Sequence, residues 1–566
     1  MTRLRLLLLV GLVAFLAVPA GAQPATADAV QAGRFDNGRM FTLDEPPLDY
    51  FRETYDFAPD DAWFQHAQLG ALRFATYCSA SFVSPTGLIL TNHHCARQSV
   101  TQVSVEDGVD YNEDGFYAKD MDEERMVDGL YVEQLIAIQD VTGDVAGAAM
   151  NVEGDQARQQ ARQQAIAAAQ AQMEAEYGEG FRVQIVTLYS GGQYKAYIYK
   201  RYDNIQLVFA PETQMGYFGG DPDNFTYPRY SLDFSLFRAV DENGDPLEVE
   251  HFFRFQPEGT DPGDLVFVLG NPGSTTRMQT VAELEFRRDF NEPAILNAIA
   301  SREAVYGEYI AGNPDAPGIP ELTDTYFSLG NSRKAYTGRV EGLRDPNVIA
   351  RRRAAEQNYI NALAADADLQ AQYGDIIDAI AANREALRPM GNQFGAFIGL
   401  GPGSILSSPV MGRAVLAFQY ANASEEQQAE LRENMLGVED LPLELQQGLV
   451  EARLTDFETY LGENNPIVQQ VLGTSTPAAA AREIAQNSPL TTVEGTEALL
   501  DSGDILSDPA VQVVAAVIPA VQQFQQANAT AGAELAELSS RLALARFELY
   551  GTSIPPDATF TLRISD

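Results

Sequence analysis

The sequence is poor in lysine and rich in acidic residues. It has 566 residues, with 38 lysines and arginines against 79 aspartates and glutamates, so its formal net charge is −41. The lysines are Lys119, Lys195, Lys200 and Lys334. A surface this acidic repels phosphate groups and lacks the basic stripe that nucleic-acid binding needs. The composition therefore argues against nucleic acid as a partner and against binding to anionic membrane surfaces.

Histidine and cysteine are also scarce. The four histidines are His66, His93, His94 and His251, and the two cysteines are Cys78 and Cys95. Structural zinc sites commonly take four ligands from these two residue types. We therefore predict no metal site and expect no cofactor. The same scarcity reduces the search for a general base to very few side chains.

Long apolar runs are absent except near the N-terminus. Arg3 and Arg5 precede an apolar run over 6–18, and Ala20-Gly21-Ala22 has the small residues typical of a cleavage site. The run is shorter than the roughly 20 residues of a membrane-spanning helix, although a membrane anchor is the alternative. We predict a signal peptide over 1–22, export to the periplasm and no stable insertion into a membrane.

An exported chain can oxidise its cysteines. Cys78 and Cys95 are therefore a candidate disulfide, which would join two neighbouring strands or a strand and a turn. The alternative is two independent buried thiols.

The first half of the chain has the pattern of a β protein. Short β-branched and aromatic runs alternate with turn signals from about residue 40 to 275. The predicted strands are 82–83, 88–90, 181–188, 195–202, 205–209, 234–240 and 265–269. One stretch rich in alanine and glutamine, 155–177, predicts a helix. Strands at this spacing indicate a β-barrel or sandwich.

The second half is dominated by helix formers and helix caps. The predicted helices are 280–290, 293–310, 348–365, 375–387, 424–436, 442–461, 477–486 and 509–549. A strand pattern returns at 559–564 and needs a sheet to join. We therefore predict a β region over 23–275, an all-α region over 276–548, and the start of a second β region over 549–566.

Two histidines stand together in Thr91-Asn92-His93-His94-Cys95, directly after a predicted strand. A histidine at such a strand-to-turn junction, with a cysteine able to bond back to the preceding strand, is typical of the general base of a trypsin-like barrel. Asp233, at the head of the strand Asp233-Phe234-Ser235-Leu236-Phe237-Arg238, is a candidate orienting acid. The alternatives are a structural histidine pair and an ordinary turn acid.

A loop over 219–230 combines glycine, carboxylates and aromatic residues. Such a loop offers hydrogen-bond acceptors beside an apolar wall and suits a small charged group such as an amine. The alternative is a solvated turn.

Three motifs together carry a resemblance to a known family. They are the segment from Phe82 to Cys95, the block from Gly219 to Arg238, and Gly270-Asn271-Pro272-Gly273-Ser274-Thr275-Thr276-Arg277. In content and order they resemble the bacterial exported dipeptidyl-peptidases of the seven and eleven types, serine peptidase family 46. The resemblance implies a trypsin-like double β-barrel with an inserted all-α cap domain. It also implies peptide substrates with a free N-terminus, and a homodimer is compatible with it.

The resemblance assigns roles to four residues. His94 would be the general base and Asp233 its orienting acid. Asn224 matches the asparagine that holds the substrate's N-terminal amine, and Phe225 stands where the family has a tryptophan. An aromatic wall would therefore remain, without the indole N–H.

The family's nucleophilic serine lies in a Gly-Asn-Ser-Gly-Ser-Pro sequence, which does not occur in these 566 residues. Gly330-Asn331-Ser332-Arg333 and Asp501-Ser502-Gly503 resemble serine motifs only in part. On this reading the second barrel half is largely missing, and we expect the chain as written to be an inactive dipeptidyl-peptidase. The alternative is a non-catalytic periplasmic peptide-binding protein.

Overall fold

The protein combines a large antiparallel sheet with a mainly helical region. The computed structural model describes residues 31–33, 35–216, 231–551 and 554–566. The strands are β1 Ala71–Phe74, β2 Cys78–Phe82, β3 Leu88–Thr91, β4 Phe116–Tyr117, β5 Arg125–Met126, β6 Val132–Asp140, β7 Phe181–Leu188, β8 Gln193–Tyr202, β9 Ile205–Ala210, β10 Ser235–Ala239, β11 Val268–Gly270 and β12 Arg563–Ser565.

Helices flank the strands and then dominate the chain. In the first half they are α1 Leu48–Tyr55, α2 Asp61–Gly70, α3 His93–Asp107, α4 Tyr111–Asp114, α5 Thr142–Ala149, α6 Asp155–Tyr177 and α7 Thr213–Gly216. The next are α8 Val281–Phe286, α9 Glu292–Gly312, α10 Ile319–Arg344, α11 Pro346–Ala364, α12 Ala367–Tyr373, α13 Ile376–Leu387 and α14 Gly391–Phe397. The last are α15 Pro409–Ala421, α16 Glu425–Leu436, α17 Leu443–Leu461, α18 Pro466–Leu472, α19 Pro477–Asn487, α20 Val493–Ser502 and α21 Pro509–Tyr550.

The main sheet has ten strands within the described residues. Its order is β4-β9-β10-β3-β2-β1-β6-β8-β7, and β5 also pairs with β9. One of its faces buries Phe74, Phe82, Ile89 and Phe237 completely. Successive side chains of a strand point to opposite faces of the sheet, so strands in which apolar residues alternate with polar ones bury one face. Many of these apolar residues are β-branched or aromatic, which favours strands. The architecture is thus a mixed one, with a sheet of antiparallel strands and many helices.

The hairpin of β2 and β3 forms where the sequence predicts strand, turn and strand. Gly87 closes the turn at φ +69°, and a Cβ atom there would lie 2.6 Å from the carbonyl oxygen of Ala239. Only glycine fits this close approach without strain. The hairpin therefore fixes the position of the segment that follows β3.

The helical half contains more helices than the sequence predicts. Helix α6 has the predicted bounds, but α10 was not predicted although it is 26 residues long. Glycines at 330, 338 and 342 lower the helix propensity of this stretch. Packing on neighbouring helices outweighs that propensity, since Leu322 and Leu329 of α10 share a buried cluster with α9 and α17.

The predicted C-terminal strand forms in a shorter version. Phe560 adopts φ +56°, which interrupts the extended backbone, so β12 begins at Arg563. It pairs with β11, and Phe41 forms an isolated bridge to Ile564. The strand predicted over 265–269 is likewise reduced to Val268–Gly270. The predicted second barrel half and the domain boundaries stay predictions.

Helix α21 connects the two parts of the molecule. It has 42 residues and is therefore about 63 Å long. Its first half packs in the core of the helical region through Val511, Val514 and Val517. Farther along, Glu537 lies 2.9 Å from the Arg162 side chain of α6. Among the helices of the described ranges, none is both long enough and apolar enough to cross a membrane.

Candidate active site

The register of the sheet brings the two candidate catalytic residues together. Ser235 at the start of β10 pairs with Thr91 at the end of β3. In an antiparallel pair, the residue before one strand lies beside the residue after the other. Asp233 therefore reaches the segment that begins with Asn92, although the two are far apart in sequence.

Asp233 holds His94 at two points. The ring Nδ1 of His94 lies 2.9 and 3.0 Å from the two carboxylate oxygens, and the backbone N–H of His94 donates to one of them at 3.0 Å. The Asn92 side chain also donates to the Asp233 backbone carbonyl at 3.0 Å. The Asp233 side chain is 8% exposed and that of His94 25% exposed. This arrangement fixes the orientation of the imidazole through its Nδ1 side.

The histidines begin a helix rather than a turn, which corrects the sequence-based placement. Asn92 is the N-cap of α3, and Gly108 ends it in the left-handed conformation. The face of α3 that carries Ala96, Val100 and Val103 is completely buried. Asp233 thus also caps a helix N-terminus from a neighbouring strand, where a negative charge is favoured by the helix dipole.

His93 is a buried neighbour of His94 with a different role. Its ring is completely buried, and a Cβ at Gly216 would lie 2.5 Å from its Nδ1 atom. Burial, reinforced by the Arg97 cation, lowers the pKa of His93 to about 4. His93 is therefore neutral at physiological pH and packs as part of the core.

A disulfide restrains the same corner of the fold. Cys78 begins β2, Cys95 lies in the first turn of α3, and their sulfur atoms are bonded with Cα atoms 6.2 Å apart. Donor atoms of His94 and the two cysteines lie within 4.8 Å of one another. Both sulfurs are used in the disulfide, so this trio offers no thiolate to a metal ion.

A cleft of about 610 Å³ opens beside His94. Arg97, one turn after His94 on α3, forms an ion pair with Asp324 of α10 and lies over the ring of Phe327 at 4.6 Å. Burial raises the pKa of the Asp324 carboxyl, while Arg97 opposes that shift. Helix α10 thereby forms a wall of the cleft opposite α3.

Sequence reasoning missed this wall. The turn predicted after β3 does not single out Arg97, although Ala96, Val100 and Val103 have the spacing of a helix face. Asp324 and Phe327 lie on α10, whose glycines lower its helix propensity and hide it from the sequence pattern.

Asn224 and Phe225, the residues expected to hold a substrate amine, lie outside the described residues. Ser332 is placed within α10, where backbone amides are used by the helix ladder, so it forms no oxyanion site. Ser502 is the last residue of α20 and precedes Gly503, which ends that helix. Neither serine lines the cleft beside His94.

Comparison with known proteins identifies relatives along nearly the whole chain. A family model described as Peptidase S46 matches residues 35–566. Dipeptidyl-peptidase 7 of Porphyromonas gingivalis is 26% identical in an alignment of 580 positions, and the alignment covers 92% of this chain and 76% of the relative. Dipeptidyl-peptidase 7 of Capnocytophaga gingivalis is 24% identical and covers 87% of this chain and 71% of the relative. An Asp/Glu-specific dipeptidyl-peptidase of Capnocytophaga gingivalis is 30% identical over 53% of this chain and 43% of the relative.

Solved structures share the fold. Porphyromonas endodontalis DPP11 in complex with the dipeptide Arg-Glu superposes with a TM-score of 0.75 at 22% identity, covering 93% of this chain and 80% of that one. The same protein in complex with the dipeptide Arg-Asp gives a TM-score of 0.76 at 20% identity, covering 93% of this chain and 79% of that one. At this identity the likeness concerns the fold.

Proposed function

Since the chain belongs to the peptidase S46 family, we propose that it is a serine-type dipeptidyl-peptidase that releases dipeptides from the free N-terminus of peptides. The observation that carries this proposal is the buried Asp233 carboxylate bonded to Nδ1 of His94 at the edge of a cleft. In such a pair the imidazole acts as general base and the carboxylate stabilises the imidazolium that forms. Relatives named as peptidases favour this enzyme over a non-catalytic peptide-binding protein.

The exopeptidase character is proposed to depend on Asn224 and Phe225. The amide of Asn224 would bind the N-terminal amine, and Phe225 would form an apolar wall beside it. A peptide held by its amine presents its second peptide bond to the catalytic pair. We propose in addition that the fold is a double barrel with a helical cap and that the protein forms a homodimer. Export would use the signal peptide over 1–22.

Amine recognition can be tested on the 566-residue polypeptide by calorimetry. Peptides with a free N-terminus should bind, and their N-acetylated forms should bind at least tenfold more weakly. The variant Asn224→Ala should remove this difference, and Glu242→Gln, an exposed acid elsewhere on the chain, should preserve it. Equal binding of free and acetylated peptides by the unaltered polypeptide would contradict the proposed amine site.

Catalysis needs a nucleophile, and the 566 residues contain no Gly-Asn-Ser-Gly. We therefore expect a polypeptide of these residues alone to release no dipeptides. A reading frame that continues past codon 566 into that motif should encode an active enzyme, in which His94→Ala and Asp233→Asn lower kcat by about 10⁴. Activity that is unchanged in these variants would overturn the roles assigned to both residues.

A further inference from the structure

An apolar side chain from the helical region borders the cleft that contains His94. Ile405 lies between α14 and α15, is 46% exposed, and lines the cleft together with Tyr77 and Phe327. A single exposed isoleucine is common on protein surfaces. Its position in a concave site beside the catalytic pair is what distinguishes Ile405.

Two buried arginines hold the loop that carries Ile405. Arg453 donates to the backbone carbonyls of Ala396 at 3.1 Å and Ile398 at 2.6 Å. Arg302 donates to the carbonyl of Leu406 at 3.2 Å. These carbonyls lie on both sides of the loop, so its two ends are fixed to α9 and α17.

The arginines share one carboxylate. Asp456 lies 2.6 Å from Arg302 and 3.5 Å from Arg453. All three residues are at most 2% exposed. A buried guanidinium needs hydrogen-bond acceptors, and here backbone carbonyls at the end of α14 and in the loop supply several of them. Displacing the loop would leave buried donors without acceptors, so the loop is held in place.

Close contact at the base of the loop adds to this restraint. Gly399 adopts φ +65°, and a Cβ there would lie 2.6 Å from Cβ of Leu406. The loop therefore closes on itself just before and just after the segment that presents Ile405.

We propose that Ile405 is a specificity-determining residue that contacts an apolar side chain of the bound peptide. This inference rests on the proposed function, because it takes the cleft beside His94 as the peptide site. A rigid loop presents Ile405 in one position, so contact with a ligand orders few additional groups. Tyr77, which is 46% exposed, adds apolar surface to the same cleft. The substrate class is a peptide with an apolar side chain near its free N-terminus.

The cysteine content of the chain makes a site-specific test practical. Both native cysteines are in the disulfide, so Ile405→Cys introduces a unique free thiol. Leu443→Cys is the matched control, because Leu443 is 50% exposed and does not line this cleft. The probes are tetraglycine and four tetrapeptides in which leucine replaces glycine at one position in turn.

Calorimetry and thiol alkylation give separate readouts. We expect one leucine peptide to bind most tightly, and to slow alkylation by iodoacetamide at position 405 at least fivefold but not at position 443. Ile405→Ala should lower the affinity for that leucine peptide about three- to tenfold, because it removes apolar contact area. The affinity for tetraglycine, which has no side chain to make that contact, should stay the same.

The outcomes separate the inference from the proposed function. If peptides bind through a free N-terminus while alkylation at 405 and the leucine preference of Ile405→Ala are unchanged, the inference is wrong and the function stands. If no peptide binds, or acetylation has no effect, the proposed function fails and the inference fails with it.

Discussion

The Asp233 carboxylate contacts both the backbone N–H and the ring Nδ1 of His94. This one side chain therefore has two roles: it caps the N-terminus of helix α3, and it orients the imidazole of His94 on that helix. The consequence is that the local stability of α3 and the geometry of the candidate catalytic pair depend on the same group.

Replacing Asp233 should therefore destabilise the fold as well as the site. Asp233→Ala removes the carboxylate that accepts from His94 and, at 3.3 Å, from the Asn92 side chain. We expect the free energy of unfolding to fall by about 2–3 kcal/mol. Urea unfolding followed by circular dichroism measures the change. Glu242→Gln, at an exposed turn, serves as the control and should stay within about 0.5 kcal/mol. An equal effect of the two variants would refute the capping role of Asp233.

His93 should make stability depend on pH. Its folded pKa of about 4 lies below the ordinary histidine pKa of 6.5, because burial disfavours the imidazolium. The unfolded chain then binds more protons between these two values, so stability is full above about pH 6.5 and is lost as pH falls toward 4. We expect this residue to contribute a loss of about 2 kcal/mol between pH 7 and pH 5.

The His93 contribution can be isolated with His93→Phe. This variant removes the titrating group, so the fall in the free energy of unfolding between pH 7 and pH 5 should be smaller by that amount. The comparison uses the change with pH within each protein, which remains meaningful if the variant is less stable at both values. The same fall with pH in both proteins would contradict the buried neutral imidazole.

Gly216 should tolerate no side chain. In Gly216→Ala the new Cβ would lie 2.5 Å from Nδ1 of His93, so we expect a loss of about 1–3 kcal/mol from overpacking. Gly143→Ala is a matched control, because nothing lies within 4 Å of its Cβ position on α5. Thermal unfolding should show a lower Tm for the first variant and an unchanged or higher Tm for the second. Similar Tm values would mean that His93 relaxes without cost.

The disulfide should stabilise the protein mainly through the unfolded state. It closes a loop of 17 residues in sequence separation, for which chain entropy predicts about 3 kcal/mol. The double variant Cys78→Ser/Cys95→Ser should unfold at correspondingly lower urea concentration than the oxidised protein. Adding a reductant to the unaltered protein should reproduce that shift and should not affect the double variant. A shift below about 1 kcal/mol would indicate a compact unfolded state around this loop.

Some features of the fold and of the candidate site are predictable from local sequence patterns, and others depend on contacts between distant residues. Residue types and strand positions make His94 and Asp233 candidates beside a structural histidine pair and an ordinary turn acid, and the family resemblance is what assigns them their roles. Helix α6 was predicted because alanine and glutamine favour a helix irrespective of context. The contact of Arg97 with Asp324 was not predicted, because it joins α3 to a helix whose glycines hide it. Tertiary packing outweighs local propensity at that contact.

The loop that carries Ile405 shows the same limit. Its glycines and Pro402 predict an irregular segment. Nothing local in the sequence indicates that Arg302 and Arg453, on two separate helices, donate to its carbonyls. These contacts depend on the packing of α9 against α17. Local sequence patterns do not specify how two distant helices pack.

The pairing of β11 with β12 imposes an order on folding during synthesis. The partners lie about 300 residues apart, so β11 leaves the ribosome long before β12 exists. The ten strands of the main sheet all lie within 71–239 and need none of the later chain to pair. We expect the sheet to acquire amide protection first and β11 last, which pulse-labelled hydrogen exchange during refolding would measure. Until β12 has formed, the edge of β11 that pairs with it stays open to contacts with other strands.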